Sequence, residues 1–537
     1  MKVELKMFSA LRELLIVSAV FALTAQSLCG QAPTRPNIVV IVCDDLNDSI
    51  AGMGGHPQAK TPHLDRLMAR GVTFMNAAAN VPLCGPSRAS MWSGLLPTTT
   101  GFYGYNQQVN HWSRNPILAE STSLFELFTR NGYRNFATGK IHHNGHEVMK
   151  IFENPDGYPG FGSHPNFGPI PNDGKPENKK HGVLPPWMPA GIRAQGGWGD
   201  GFGPIQDLKR YGEEYEWTMF YSGETWEYRE GYNRDLMPDE VCAQDAVDFL
   251  KDTHDKPFLL TVGFSRPHSP WYAPQEFFDL FPLDSLELSP MIDGDSDDVS
   301  RILSVEKDIA QPWGWSKYRK IINNGGEAQL LKWTQAYLAC VAFVDHQVGK
   351  ILEALDSSKY AANTVVIFTG DHGYHMGEKD YLFKYSPWEE SVRVPLVIAG
   401  PDIAEGETCS TSVSLVDLYP TCIDYASIEA IQALDGHSLR SLLRNPDAGQ
   451  WNGRDYTLSA VASKAEVAQN EPARAEDQHF SIRTDRYRYI RCRNGEEELY
   501  DHQNDPHEWK NQANNPKYEA VLLAMKARLQ SATKTDL

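Results

Sequence analysis

The sequence predicts an α/β protein built on a large doubly wound, mostly parallel mixed sheet flanked by helices, with a smaller C-terminal α+β subdomain carrying a short antiparallel sheet. Three observations predict it. Asn37-Ile38-Val39-Val40-Ile41-Val42 is an unbroken apolar, β-branched run, typical of parallel strands covered on both faces. Strand-like and helix-like segments then alternate, which favours a doubly wound sheet. Past residue 440 the chain changes to paired strand-like runs joined by Asn494-Gly495, a hairpin turn signal.

The elements follow in order. Thr61 to Arg70 carries Pro62 in its first turn and stops at Gly71, so it reads as a helix, with Val72-Thr73-Phe74 a short strand after it. Pro86 marks another first helical turn and sets Cys84 and Gly85 at its mouth. Ser123 to Tyr133 is an amphipathic helix with a glycine stop, and Arg134 to Thr138 a strand. From Gly145 to about Asp235 the pattern breaks into Gly, Pro and Trp, as in Gly157 to Gly162 and Gly196 to Asp200; the aromatic content favours an ordered substrate rim. A helix over Val241 to Lys251 and a strand over Phe258 to Phe264 restore regularity. Trp271 to Ile322 is irregular again, Trp333 to Leu355 a long helix, Thr364 to Thr369 a strand and Val413 to Tyr419 a helix. Phe480 to Thr484 and Tyr487 to Arg491 are strands, and Tyr518 to Leu529 is the last helix.

Residues 1–30 read as a signal peptide, 31–440 as the large α/β domain and 441–537 as the C-terminal subdomain. Lys2, Lys6 and Arg12 precede an apolar run from Leu14 to Leu23 and small residues at Ala25, Ser27 and Gly30, the pattern of export to the periplasm or the medium. That run is too short for a stable membrane span. Leu28 is larger than lipoprotein processing tolerates, which argues against an anchor at Cys29. The other seven cysteines, at 43, 84, 242, 340, 409, 422 and 492, form no C-x-x-C pair, and a Cys409–Cys422 bridge has no sequence feature in its support. A net charge of −19 argues against nonspecific binding to nucleic acid or anionic membranes. It leaves room for an anionic substrate, because a metal and a few basic side chains can reverse the local field.

Two strand ends carry the candidate chemistry. Asp44 and Asp45 follow the first strand and Asp371-His372 the strand of Ile367, at the carboxyl ends where open α/β sheets place ligands. If they converge, they can hold one hard cation through oxygens and a histidine, a spacing shared by many metallohydrolases. At its helix mouth Cys84 faces unpaired N–H groups, a place suited to anions and to a lowered thiol pKa.

Cys84-Gly85-Pro86-Ser87-Arg88 resembles the C-x-P-S-R signature of the type I sulfatases. The resemblance implies an alkaline phosphatase/sulfatase-like fold and a Cys84 converted to formylglycine by a formylglycine-generating (sulfatase-maturing) enzyme. One hydroxyl of the hydrated aldehyde attacks sulfur and expels the alcohol; the other then collapses to the aldehyde and releases sulfate. It also implies one calcium ion held by Asp44, Asp45, Asp371, His372 and the side chain at 84. Gly139-Lys140-Ile141-His142-His143 resembles the family's G-K-x-x-H element, which puts Lys140 on the sulfate and His143 on the formylglycine hydroxyl; His142 takes that place if the register is off by one. Arg266-Pro267-His268-Ser269-Pro270 resembles its K/R-P-H-x-P element, so His268 protonates the leaving oxygen. Lys384 matches the second sulfate-binding lysine and Arg88 is a fixed cation beside the nucleophile. Glu498-Leu499-Tyr500-Asp501 and Asp505-Pro506 are similar to the family's C-terminal E-L-Y-D-L-x-x-D-P-x-E, with His502 in place of its leucine.

Asp371-His372-Gly373, Gly377-Glu378 and Val341 to Leu355 are similar to the iduronate-2-sulfatase branch and its bacterial relatives, although Tyr374 stands where that branch has Trp. The expected substrate is a sulfated oligo- or polysaccharide of heparan, dermatan or ulvan type, with exo-acting removal of a 2-O-sulfate from a uronic acid. The alternatives are a phosphonate or phosphodiester hydrolase with the same nucleophile, and a secreted glycan-binding protein with an inactive site.

Overall fold

The computed structural model describes residues 35–105, 112–143, 168–180, 182–183, 201–210, 215–219, 222–447, 450–467 and 471–534. The leader with Cys29, and the rim stretches at 157–162 and 196–200, lie outside these residues. Seven strands, β1 (Asn37–Asp44), β2 (Gly71–Phe74), β3 (Arg134–Gly139), β4 (Phe258–Pro267), β5 (Thr364–Gly370), β6 (Leu396–Ala399) and β7 (Glu407–Cys409), make the main sheet in the order β7-β2-β6-β5-β1-β4-β3. β6 runs antiparallel to both neighbours and the remaining pairs are parallel.

The unbroken apolar run of β1 is explained by what lies on each side of it. Val39, Ile41 and Cys43 enter one core with helices α1 (Pro62–Met68), α4 (Pro238–Lys251) and α5 (Trp313–Asp356). Ile38, Val40 and Val42 enter the other with α2 (Cys84–Ser93), α3 (Leu124–Arg130) and α6 (Leu418–Tyr425). Burying each such side chain contributes about 1.5–3 kcal/mol, and neither face of β1 can take a polar residue without leaving it unpaired. The sequence expectation of a sheet wound on both faces is therefore met.

The C-terminal unit is an antiparallel sheet of β8 (Thr457–Val461), β9 (His479–Arg483), β10 (Tyr487–Arg491) and β11 (Glu497–Asp501), followed by α7 (Glu519–Thr533). Gly495 turns the β10–β11 hairpin at φ +94°, a conformation open to glycine. Phe480, Ile482, Tyr489 and Leu499 run into the same core as α4 and α5, so the two sheets share apolar packing.

Three expectations need correction. Val413–Ser414 is a strand paired with Ala77–Ala78, and the helix begins at Leu418, because tertiary pairing overrides the local pattern. The long helix begins at Trp313 and contains a break at Gly325-Gly326, where Gly326 sits at φ +59°; the glycines hide its first half from a periodicity reading. The insertion before Asp235 contains short two- and three-stranded sheets among its described residues. All seven described cysteines are free and buried, so no Cys409–Cys422 bridge is present. Among the described residues, no helix is long and apolar enough to cross a membrane.

Candidate active site

The site lies at the carboxyl ends of β1, β3, β4 and β5. Consecutive residues of a strand point to opposite faces, yet Asp44 and Asp45 both turn into the site. The chain manages this by leaving the sheet: the β1–β4 register shifts between Cys43 and Asp44, and Asp45 adopts φ +65°, which Asp tolerates better than most residues. The Tyr337 hydroxyl on α5 donates to the Asp45 carbonyl at 2.8 Å and fixes this turn. Asp371 follows β5 directly and accepts from the Asp45 N–H at 3.1 Å, tying the two strand ends together.

Cys84 opens α2, next to the N-cap residue Leu83, which offers no side-chain cap. Its sulfur lies 3.2 Å from His372 Nε2 and 3.1 Å from Lys384 Nζ. Arg88, one turn on, donates from Nε to Asp371 at 2.8 Å and from a terminal nitrogen to the Lys140 carbonyl. Lys140 pairs with Asp44, and Lys384 with Asp45 at 2.6 Å. Three cations thus meet three carboxylates in a volume almost closed to solvent: Asp44, Arg88, Lys140, Asp371 and His372 are each 0 % exposed. Such pairs hold together because each charge has a counter-charge and a hydrogen bond; deleting one member strands its partner.

The electrostatics favour an anion at position 84. Burial and then Asp44 push the thiol up, but Lys140, Lys384 and His372 together bring it down to about 5. Burial also opposes charge on His372, yet Asp371 and the Cys84 sulfur raise it to about 9. Burial raises Asp45 to about 7, with Lys384 pulling the other way. Asp44 stays far below the usual carboxylate range despite burial, held there by Lys140 and His268.

His268 arrives on the turn after β4, whose backbone N–H groups at Ser265 and Arg266 are held by the Asp239 carboxylate at 2.7 and 2.9 Å. Its Nε2 stands 3.9 Å from Asp45, and its side chain is 15 % exposed where that of Asp45 is 1 %. Burial and then Lys384 hold its imidazole well below the ordinary value. The two histidines after Lys140 separate clearly. His142 packs edge-on against Trp112 and Phe125, whereas His143 stacks on Tyr105 and feels Lys140 and Lys384 next after burial. Of the two, His143 is therefore the one that feels the Lys140 and Lys384 ammonium groups.

Every residue singled out in the sequence, Asp44, Asp45, Cys84, Arg88, Lys140, His143, His268, Asp371, His372 and Lys384, comes to this one place. Tyr105, Asp239 and Tyr337 were missed: Asp239 looks like an ordinary acid in a first helical turn, and Tyr337 like core. For a metal, ligand atoms of Asp44, Cys84, Asp371 and His372 lie within 4.8 Å of one another, as do those of Asp44, Asp45, Cys84 and His268. Asp44 Oδ1 is buried without a hydrogen-bond partner, the kind of orphan oxygen a hard cation satisfies. Oxygen-rich ligands suit calcium; a thiol suits it poorly, and an oxygen at position 84 would complete the set. Glu389, His502 and Glu508 form another carboxylate–histidine group, but Arg488 bonds both of its carboxylates, so that cluster is an ion-pair network.

Comparison with known proteins identifies the family. The sulfatase family model matches residues 36–428, and the model for the C-terminal part of N-sulphoglucosamine sulphohydrolase matches 377–535. A sulfatase of Formosa agariphila is 34% identical over 505 residues, 93% of this chain and 87% of that one. Mouse iduronate 2-sulfatase is 30% identical over 419 residues, 76% of this chain and 66% of that one. Among solved structures, the phosphonate monoester hydrolase of Agrobacterium radiobacter superposes with TM-score 0.64 at 22% identity, covering 93% of this chain and 95% of that one, a likeness of fold. A family model running through most of the chain, with a relative similar along nearly its whole length, places this protein in the sulfatase family, as a sulfuric ester hydrolase.

Proposed function

We propose that this sulfatase is exported and removes sulfate from a sulfated polysaccharide or its oligosaccharides, using formylglycine at position 84 and one calcium ion. We further propose exo action on a 2-O-sulfated uronic acid. The observation that carries the reading is the convergence of Lys384 and His372 on the Cys84 sulfur, inside a ring of buried carboxylates and cations. The similarity to an iduronate 2-sulfatase supports the sugar, and the basic-then-apolar leader supports export.

Formylglycine would supply a geminal diol as nucleophile with a built-in exit for sulfate. Calcium, held by Asp44, Asp45, Asp371, His372 and the oxygen at 84, would supply fixed positive charge beside the sulfuryl oxygens. The chain's own residues do the rest. Lys140 and Lys384 bind and orient the sulfate, and Arg88 locks Asp371 and the Lys140 backbone in place. His143 hydrogen-bonds the diol. His268, at the open side, gives its proton to the leaving sugar oxygen, whose high pKa makes unassisted departure slow. Its free imidazole is held low by burial and Lys384, so the negative charge of the bound sulfate is what favours its protonation.

Mass spectrometry of the tryptic peptide from Gly71 to Arg88 tests the nucleophile: an active preparation carrying only unmodified Cys84 overturns it. Sulfate release from heparan-, dermatan- and ulvan-type oligosaccharides tests the substrate. Faster turnover of an aryl phosphodiester than of an aryl sulfate would instead favour the phosphonate or phosphodiester reading. Binding of sulfated glycan with no sulfate released would favour an inactive glycan-binding protein.

A further inference from the structure

Helix α2 begins without a conventional cap. Ser87 N–H already bonds the Leu83 carbonyl and Pro86 has no N–H, which leaves the first turn depending on Cys84 and Gly85. The Gly85 N–H is taken by a side chain twenty residues away: it donates to the Tyr105 hydroxyl at 2.9 Å. The same ring lies flat on His143, with centroids 4.5 Å apart and planes at 20°. A Cβ at Gly85 would stand 2.7 Å from Tyr105 Cε1, so a side chain at 85 would force the tyrosine to shift. One side chain therefore touches the backbone next to the nucleophile and the imidazole assigned to that nucleophile's hydroxyl.

We propose that Tyr105 is a positioning residue for catalysis: its hydroxyl caps the helix that carries residue 84, and its ring sets the plane of the His143 imidazole. The proposal rests on the reading of residue 84 as nucleophile and His143 as its partner. Tyr105 is fitted to the task because burial keeps its phenol neutral. A neutral phenol accepts the Gly85 N–H without adding another negative charge to the site.

The test separates hydroxyl from ring, with kcat expressed per formylglycine found by mass spectrometry in each variant. Tyr105→Phe removes the cap alone and is expected to lower kcat about 10-fold on an aryl sulfate, with KM within about 2-fold, as misplacement of a reacting group does. Tyr105→Ala removes both contacts and is expected to lower kcat about 100-fold. Gly85→Ala should also lose activity, but the Gly85→Ala/Tyr105→Ala double variant should be no worse than Tyr105→Ala, because the clash has gone. Hydrogen exchange of a peptide spanning residues 83–91 in unmatured protein gives a readout free of turnover. Faster exchange there in Tyr105→Phe, with an unchanged melting temperature, is expected. Exchange and kcat of Tyr105→Phe equal to wild type, or losses at 85 and 105 that multiply, would overturn the proposal. Absence of formylglycine from an active wild type would overturn the nucleophile reading and leave the exchange result to decide the cap.

Discussion

Lys384 Nζ sits 3.1 Å from the sulfur of Cys84, across 300 residues of chain, and is held there by Asp45 at 2.6 Å. A cation so close to position 84 stabilises whatever negative charge forms on it or on a group transferred to it. Lys384→Ala should therefore lower kcat/KM about 10²–10³-fold, the cost of losing one preorganised donor. Lys384→Arg should not restore it, since a planar guanidinium cannot occupy the space of a compact ammonium between Cys84 and Asp45. Sulfate release from an aryl sulfate measures both, and a Lys384→Arg variant as fast as wild type would contradict this geometry.

His268 stands at the accessible edge of the site, on a turn held by Asp239. His268→Ala is expected to reduce turnover of sugar sulfates about 10²–10⁴-fold and of aryl sulfates much less, because a phenolate leaves without help. Equal losses on the two substrates would remove His268 from the acid's role.

Chelation should abolish activity and lower the melting temperature together. If the proposed ion is bound, the three buried acids Asp44, Asp45 and Asp371 would lose a shared partner on its removal, and a ligand bound only by the folded state stabilises it by mass action. Re-addition of calcium should restore both. Differential scanning calorimetry with and without the chelator decides the matter, and an unchanged transition would count against a metal here.

Asp501, in the C-terminal motif, accepts two bonds of 2.7 Å from Arg486 and further bonds from Asn504 and Tyr518. The Arg486 bonds lead in bringing its carboxyl down to about 2. A folded value below the unfolded one means that the stabilisation is full above pH ~3.9 and disappears as pH falls through about 2. Asp501→Asn should lower the melting temperature at pH 7 by roughly 2 °C, with the deficit shrinking as the pH is taken from 4 toward 2. A deficit constant across that range would show that the carboxylate's charge is irrelevant.

Much of the architecture could be read from the chain because β1 is apolar on both faces, and the physics of a strand buried twice leaves little else for it to be. The strand-end acids stand out in the sequence only together with the Cys84 motif, since acids after a strand are often a solvated turn; the structure brings Asp44, Asp45 and Asp371 together around Cys84. What stayed hidden depended on tertiary contacts. Val413 and Ser414 become a strand because Ala77 and Ala78 wait to pair with them, and Gly325-Gly326 masks the first half of α5. Tyr105 sits just before residues outside the described structure, in a stretch without periodicity, so no local pattern marks it. The motif match favours His143 over His142, and their neighbours separate the two: His142 packs on Trp112 and Phe125, His143 on Tyr105.

The depth of Cys84 has a consequence for timing. In the finished fold its side chain is 1 % exposed, and the residues that close over it, His372 and Lys384, come 288 and 300 positions later in the chain. On the proposed reading of residue 84 as a formylglycine precursor, a maturing enzyme would have to act before β5 and the loop after it pack against this cysteine. The order in which the chain emerges would then be part of how the site is equipped.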